Sequence, residues 1–113
     1  MALAVKEEIP VLPYFALAAG FLTGKYQPGL SVDSVRAENM PEYMNERGWA
    51  ILQALTEIAA THNAPIAATA MGWLRAQPGI AAPIASARTP EQLAQILPIV
   101  ELSREQIAQV NAL

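Results

Sequence analysis

The apolar positions divide the chain into short buried-looking runs and amphipathic stretches. Trp49, Leu52, Leu55, Ile58 and Ala59 recur three or four residues apart, the spacing that aligns side chains along one helical face. This predicts a helix over about 41–61, ended by His62, Asn63 and Pro65. Ile66, Thr69, Ala70, Trp73 and Leu74 form a second stripe. They predict a helix over about 65–77, with Pro65 in its first turn and a stop at Gln77, Pro78 and Gly79. Ile9–Pro13 and Ile80–Ala85 are continuous apolar runs. A parallel strand covered on both faces has this pattern, and Pro10 is tolerable only near a strand start.

Punctuation supplies the remaining elements. Residues 1–8 suit the end of a helix. Thr89 precedes Pro90 and Glu91, a cap with proline and an acid in the first turn, and that helix should reach about Leu97. Ser103 and Gln106 form a Ser-x-x-Gln capping box that opens the last helix. From Tyr14 to Pro41 the chain is punctuated by Gly20, Gly24, Pro28 and Gly29, and a loop of that length is usually functional or mobile. The predicted order is helix end, strand, long loop, two helices, strand, two helices. Two strands joined by a helical crossover form a parallel unit, but two alone do not make a stable parallel sheet.

Composition narrows the function classes. The 113 residues suit one modest domain and are short for a complete α/β barrel. Apolar residues make up 53% and charged ones 15%, greasier than an average soluble domain. Some apolar surface is therefore expected to lie against something else. The net charge of −3, without a basic cluster, gives no footprint for nucleic acid. The absence of cysteine excludes disulfides and thiolate metal sites. His62 has no acidic neighbour and sits at a predicted helix end, so a structural role is expected there, with no metal site. Trp49 and Trp73 are expected in the core, and the carboxylates, Glu7 and Glu8 included, show no catalytic pairing. Residues 1–10 meet charge too early for a signal peptide, and no apolar run approaches a membrane span. The expectation is a soluble, cytoplasmic chain that contacts neither membrane nor nucleic acid.

Three segments carry a resemblance. Residues 14–26, YFALAAGFLTGKY, resemble the loop after the seventh barrel strand of aldo-keto reductases, in its form P-L-A-x-G-x-L-T-G-K-Y. Residues 83–93, PIASARTPEQL, are similar to that family's eighth strand and following helix, P-I-x-G-A-R/S-x-x-x-Q-L. Ala67 to Pro78 resembles the stretch before that strand, A-L-x-W-L/V-x-x-x-P. The matches fall in the family's order and spacing and cover almost the whole chain. The resemblance implies an α/β fold. Specifically, it implies a partial TIM-barrel fragment, mostly helical with about two short parallel strands, in which residues 1–113 form a single C-terminal piece.

The resemblance also implies an NADP(H) site. In barrels of this kind the loops after strands seven and eight commonly hold phosphate. Tyr14 would stack on the nicotinamide ring. Leu17, Ala18, Ala19 and Gly20 would let backbone N–H groups approach the pyrophosphate, with Lys25 adding positive charge. Ser86 and Arg88 lie at a helix start suited to anions, and a guanidinium there favours a 2′-phosphate. Gln92 would contact the adenosine end. Tyr14, Arg88 and Lys25 also have plain alternatives, as a strand-end aromatic and as solvated charges. Phe15 and Ala16 stand where the family often has Ser-Pro, Ser86 where glycine is common, and Gln95 and Ile96 where it has Glu-Asn. Ile96 cannot hydrogen-bond adenine.

The family's catalytic tetrad of Asp, Tyr, Lys and His comes from earlier strands, so the resemblance places no catalytic residue here. Tyr14, Tyr26 and Tyr43 do not match the catalytic tyrosine. Two functions are compatible with these residues. One is the NADP-binding portion of an oxidoreductase that reduces small aldehydes or ketones only in a complete barrel, inactive as this isolated chain. The other is a non-catalytic fragment folding as a helical homo-oligomer. Open strand edges and apolar helix faces invite a partner in either case, whether further copies or the missing part of a barrel.

Overall fold

A computed structural model describes residues 1–14 and 45–113. Five helices run α1 (Ala2–Lys6), α2 (Glu46–Thr61), α3 (Ile66–Arg75), α4 (Pro90–Ile96) and α5 (Arg104–Asn111). The starts of α2 to α5 are each set by a capping side chain or a proline. Asn45 is extended and its side chain accepts from the Gly48 N–H at 2.8 Å. That cap starts α2 at Glu46, later than the expected start near 41, because an asparagine side chain satisfies a first-turn amide that would otherwise be orphaned. Pro65 caps α3 from outside, at φ −63° and ψ 148°, and is not in its first turn as expected. Thr89 accepts from the Gln92 N–H, and Ser103 and Gln106 form the expected reciprocal box.

Two helices end in Schellman turns. After α1, Glu8 lies at φ 54°, with Glu8 N–H donating to the Val5 carbonyl and Ile9 N–H to the Ala4 carbonyl. After α2, Asn63 lies at φ 49°, with Asn63 N–H donating to Ala60 and Ala64 N–H to Ala59. Asparagine tolerates this left-handed backbone better than glutamate does, so the α2 end is the less strained of the two.

The core lies between α2, α3 and α5. Leu55, Ile58, Ala70 and Val110 form a buried cluster, with Ile51, Ile66, Trp73 and Leu102 packed against it. Burying a side chain such as Leu55 or Ile58 stabilises the fold by about 1.5–3 kcal/mol. Trp73 thus sits at the core margin, and its Nε1–H donates to Asn111 Oδ1 at 2.9 Å, tying α3 to the end of α5. The sequence predicts a one-faced α3, but Ala67 through Gly72 are all buried. Their small side chains let neighbours close in on several sides, and the buried Thr69 hydroxyl is satisfied by its own helix, donating to the Pro65 carbonyl. The closest approach is at Gly72. A Cβ there would overlap the Val100 carbonyl oxygen and stand 3.0 Å from Leu102 Cδ1. The linker between α4 and α5 therefore lies directly on α3. In the last turn of α3, Arg75 Nη2 is buried without a hydrogen-bond partner among the described residues.

Gln106 joins α5 to the end of α2. Its Oε1 accepts from the Ser103 N–H at 2.9 Å, which fixes which end of the amide is oxygen. The His62 Nε2, 2.9 Å from the same oxygen, must then carry a proton and donate. Gln106 Nε2 donates to Thr61 Oγ1 at 3.1 Å, and that hydroxyl donates onward to the Ile58 carbonyl. His62 is structural, as expected, but its partner is a side chain 44 residues away and not the carbonyls of its own helix.

The two apolar runs make a single parallel bridge, Val11 with Ile80, and no strand forms among the described residues. Val11 N–H donates to the Gly79 carbonyl and Ala81 N–H to the Val11 carbonyl, both at 2.9 Å. A parallel ladder would continue with donors from residues 13 and 83. Both are proline and have none. The next bond slips by one residue, Ile84 N–H to the Pro13 carbonyl at 2.9 Å. The expected strands are thus reduced to one bridge by their own prolines, although the pairing remains parallel. Among the described residues no helix is long and apolar enough to cross a membrane.

Two substitutions test this packing. Gly72→Ala should destabilise the chain by at least about 2 kcal/mol in urea unfolding, although alanine is the better helix former by about 1 kcal/mol. A gain in stability would contradict the close linker contact. Gln106→Ala should lose about 1–2 kcal/mol, whereas Gln106→Glu, which keeps both acceptor bonds, should stay within about 0.5 kcal/mol of the parent. Equal losses in the two variants would show that the bonds to Ser103 and His62 contribute nothing.

Candidate functional site

The parallel bridge decides what can meet. Because both extended segments run the same way, they deliver their C-terminal ends to the same edge of the molecule. The bond from Ile84 to Pro13 extends this shared direction by one more contact. Tyr14 follows Pro13 directly, and Ser86 and Arg88 follow Ile84 by two and four residues. The structure therefore places Tyr14 and Ser86 just past the last bond between the segments, with Arg88 and Gln92 following at the start of α4. Leu17, Ala18, Ala19, Gly20 and Lys25 lie outside the described residues.

Tyr14 is 72% exposed, and Ser86, Arg88 and Gln92 are exposed as well. The helix start that carries the last two is built by reciprocal bonds. Thr89 is extended, its Oγ1 accepts from Gln92 N–H at 3.1 Å, and its carbonyl accepts from Leu93 N–H at 3.0 Å. Gln92 Oε1 reaches back to accept from the Arg88 N–H at 2.9 Å. In the ordinary capping box the N-cap residue's own amide is the donor. Here the donor is one residue earlier, so Gln92 fixes the backbone of the arginine itself.

That arrangement tests whether an anionic nucleotide fits. The amides of Arg88 and Gln92 are committed to the cap and are not open to a phosphate. The Arg88 guanidinium is exposed on a backbone that Gln92 pins. With its oxygen engaged, Gln92 still has a side-chain N–H₂ to donate. The residues fit a phosphate held by the guanidinium with an adjacent amide donor. They fit less well one cradled by this helix's own N–H groups. Glu91, also exposed in the first turn, opposes an anion there.

Sequence reasoning assigned Gln92 to a ligand and missed its hold on Arg88. The Thr-x-x-Gln spacing of 89 and 92 was the available signal, the same spacing that revealed the box at 103 and 106. A separate open groove of about 270 Å³ lies between the α2–α3 turn and the α4–α5 linker, lined by His62, Pro65, Pro98, Ile99 and Glu101 among others. It contains none of the residues that the resemblance assigns to a ligand.

Comparison with known proteins bears on this geometry. Protein tas from Escherichia coli strain K12 is 30% identical over 111 residues, covering 94% of this chain and 32% of that protein. Protein tas from Shigella flexneri matches to the same extent. The structure superposes on a glycerol dehydrogenase from Gluconobacter oxydans with a TM-score of 0.73 at 25% identity, covering 96% of this chain and 35% of that one. The chain thus spans about a third of the length of the relatives it matches. The Aldo/keto reductase family profile matches residues 1–113. With a family match along its whole length, the chain belongs to the aldo/keto reductase family.

Proposed function

We propose that this chain is the cofactor-gripping C-terminal portion of an aldo/keto reductase-like oxidoreductase, and that it holds NADP(H) without supplying the proton donor for hydride transfer. The observation that carries this reading is the parallel bridge between Val11 and Ile80, which sends Tyr14 and Arg88 to a common end. The bound dinucleotide would supply the hydride. Tyr14, with its ring exposed beside that end, would offer an aromatic face to the nicotinamide. Arg88 would pair with the 2′-phosphate through two parallel hydrogen bonds, which favours NADP(H) over NAD(H). Gln92 would hold the Arg88 backbone through its oxygen and donate to the adenosine end through its nitrogen.

The resemblance draws the family's Asp, Tyr, Lys and His tetrad from earlier strands, so we assign reduction of a small aldehyde or ketone to a complete barrel, in which proton transfer and positioning supply most of the rate. The proposed role of this portion is to bind and orient the nucleotide.

Fluorescence titration of the purified chain with NADPH checks this assignment. Arg88→Ala should weaken NADPH binding by about tenfold, corresponding to about 1.4 kcal/mol, and should leave NADH binding unchanged. Equal NADPH affinity in both proteins would remove Arg88 from the site. No carbonyl-dependent oxidation of NADPH is expected from the chain alone. Gln92→Glu separates the two roles of that side chain. The carboxylate should keep the bond to Arg88 N–H and preserve the melting temperature, while weakening NADPH binding severalfold through the lost donor and added charge. A melting temperature that falls in step with affinity would reduce Gln92 to a capping residue.

A further inference from the structure

The bonds between the two extended segments do not keep step. Along the first segment the accepting carbonyls advance by two residues, from Val11 to Pro13. Along the second the donating amides advance by three, from Ala81 to Ile84. One extra residue is therefore accommodated between Ala81 and Ile84, which is the arrangement of a bulge. Side-chain exposure changes at the same place. Val11 and Pro13 are half-buried while Leu12 and Tyr14 are exposed, the regular alternation of an extended chain. On the second segment Ile80 is half-buried, Ala81 and Ala82 are both exposed, and Pro83 is half-buried. Alternation then resumes in the new phase, with Ala85 and Ala87 half-buried and Ile84, Ser86 and Arg88 exposed.

A slip of one residue turns every later side chain to the opposite face. Val11 and Ile80 are bridged and face the same way. In unbroken register Ala82, Ile84, Ser86 and Arg88 would follow Ile80, and Tyr14 would face away from them. With the slip, Ser86 and Arg88 join Tyr14 on the exposed side. Burial does not select this phase at Ile84, which it leaves 49% exposed. A missing donor does. In unbroken register the Pro13 carbonyl would accept from residue 83, and Pro83 has no N–H. Ile84 is the next donor along the chain, and it makes the bond at 2.9 Å. The missing N–H of Pro13 acts differently. It deprives the Ala81 carbonyl of a partner on the first segment and displaces no other bond.

We propose that Pro83 is a positioning residue of the nucleotide site. By withholding an N–H from the Pro13 carbonyl it forces the slip that puts Ser86 and Arg88 on the same side as Tyr14. The proposal rests on the reading of Tyr14 and Arg88 as nucleotide contacts, and it names what sets their common facing.

The chain has no cysteine, so one introduced thiol reports the exposure of one position. Ala85→Cys and Ser86→Cys are made separately in the full 113-residue chain and labelled with a maleimide, without nucleotide. Ser86→Cys should react at least about fivefold faster than Ala85→Cys. Pro83→Val restores the N–H and should reverse that order, and so should Pro83→Ala, which restores it without added bulk. Pro13→Val supplies a donor to the Ala81 carbonyl but none at position 83, so it should keep the original order. NADPH titration follows. Pro83→Val should weaken binding by about tenfold, and Arg88→Ala added to it should cost less than about a further twofold. A proline that only stiffens the chain would shift the melting temperature and leave the labelling order as it was. The original order in both Pro83 variants overturns the proposal. So does a reversal produced equally by Pro13→Val, or a reversed order with undiminished NADPH binding. Because labelling is done without nucleotide, it decides the role of Pro83 in the slip even where the NADPH titration of the unsubstituted chain fails.

Discussion

Several neighbours crowd against α3, and they fit because the helix is thin. Ala67 through Gly72 are buried together, an arrangement that a stripe of leucines would not permit without pushing its neighbours outward. The constraint is sharpest at Gly72, where the Val100 carbonyl occupies the space that a side chain would need. Seating the linker there sets where the chain turns into α5. At that turn Ser103 and Gln106 fasten α5 to Thr61 and His62 at the end of α2. On its other flank α3 packs against α4, the helix whose first turn holds Arg88 in place. A few small side chains in the middle of the molecule therefore fix the distances among the elements around them, including the one that carries the site.

Prolines act in the opposite sense at the paired segments. Pro13 and Pro83 remove the two donors that would have made the bridge into a ladder. What remains is three backbone hydrogen bonds at 2.9 Å, enough to fix direction and register. They contribute little stability compared with the α2–α3–α5 core, since each such bond contributes only about 1 kcal/mol net. Gly79 helps to seat the start of the second segment. It adopts φ 82°, and a Cβ there would stand 3.0 Å from Val5 Cγ2, so α1 packs close against the turn that opens that segment. Direction is what the site requires, because parallel delivery puts Tyr14 and Arg88 at one end.

The legible parts of the fold are those written in local chemistry. The Thr89 cap, the Ser103–Gln106 box and the stop at His62 and Asn63 each depend on residues three or four apart, so a linear pattern contains them. The α2 start was misplaced because the apolar stripe has no sharp beginning, and only the side chain of Asn45 marks it. The one-faced reading of α3 failed for a different reason. Alanine and glycine give no contrast between faces, so periodicity could not show that this helix is buried all round. The bond from His62 to Gln106 spans 44 residues and leaves no trace in local spacing. At the candidate site, Tyr14, Ser86, Arg88 and Gln92 came from resemblance, and their common end came from the parallel bridge. The second task of Gln92 was visible in its spacing from Thr89 but was overshadowed by the ligand role assigned to it.

The site rests directly on the paired segments. Tyr14 directly follows the segment that carries Leu12, and Ser86 and Arg88 follow the segment that carries Ile84. The separation of the two corners is held from below by one bridge and one slipped bond, with no longer ladder among the described residues to reinforce them. Backbone hydrogen bonds in such positions open with low local free energies. A nucleotide spanning both corners has to stabilise that pairing as well as bind to it, and the ordering lowers its net affinity. Whatever fixes the two segments in advance lowers that ordering cost, and by linkage it strengthens nucleotide binding by the same free energy that the nucleotide adds to the pairing.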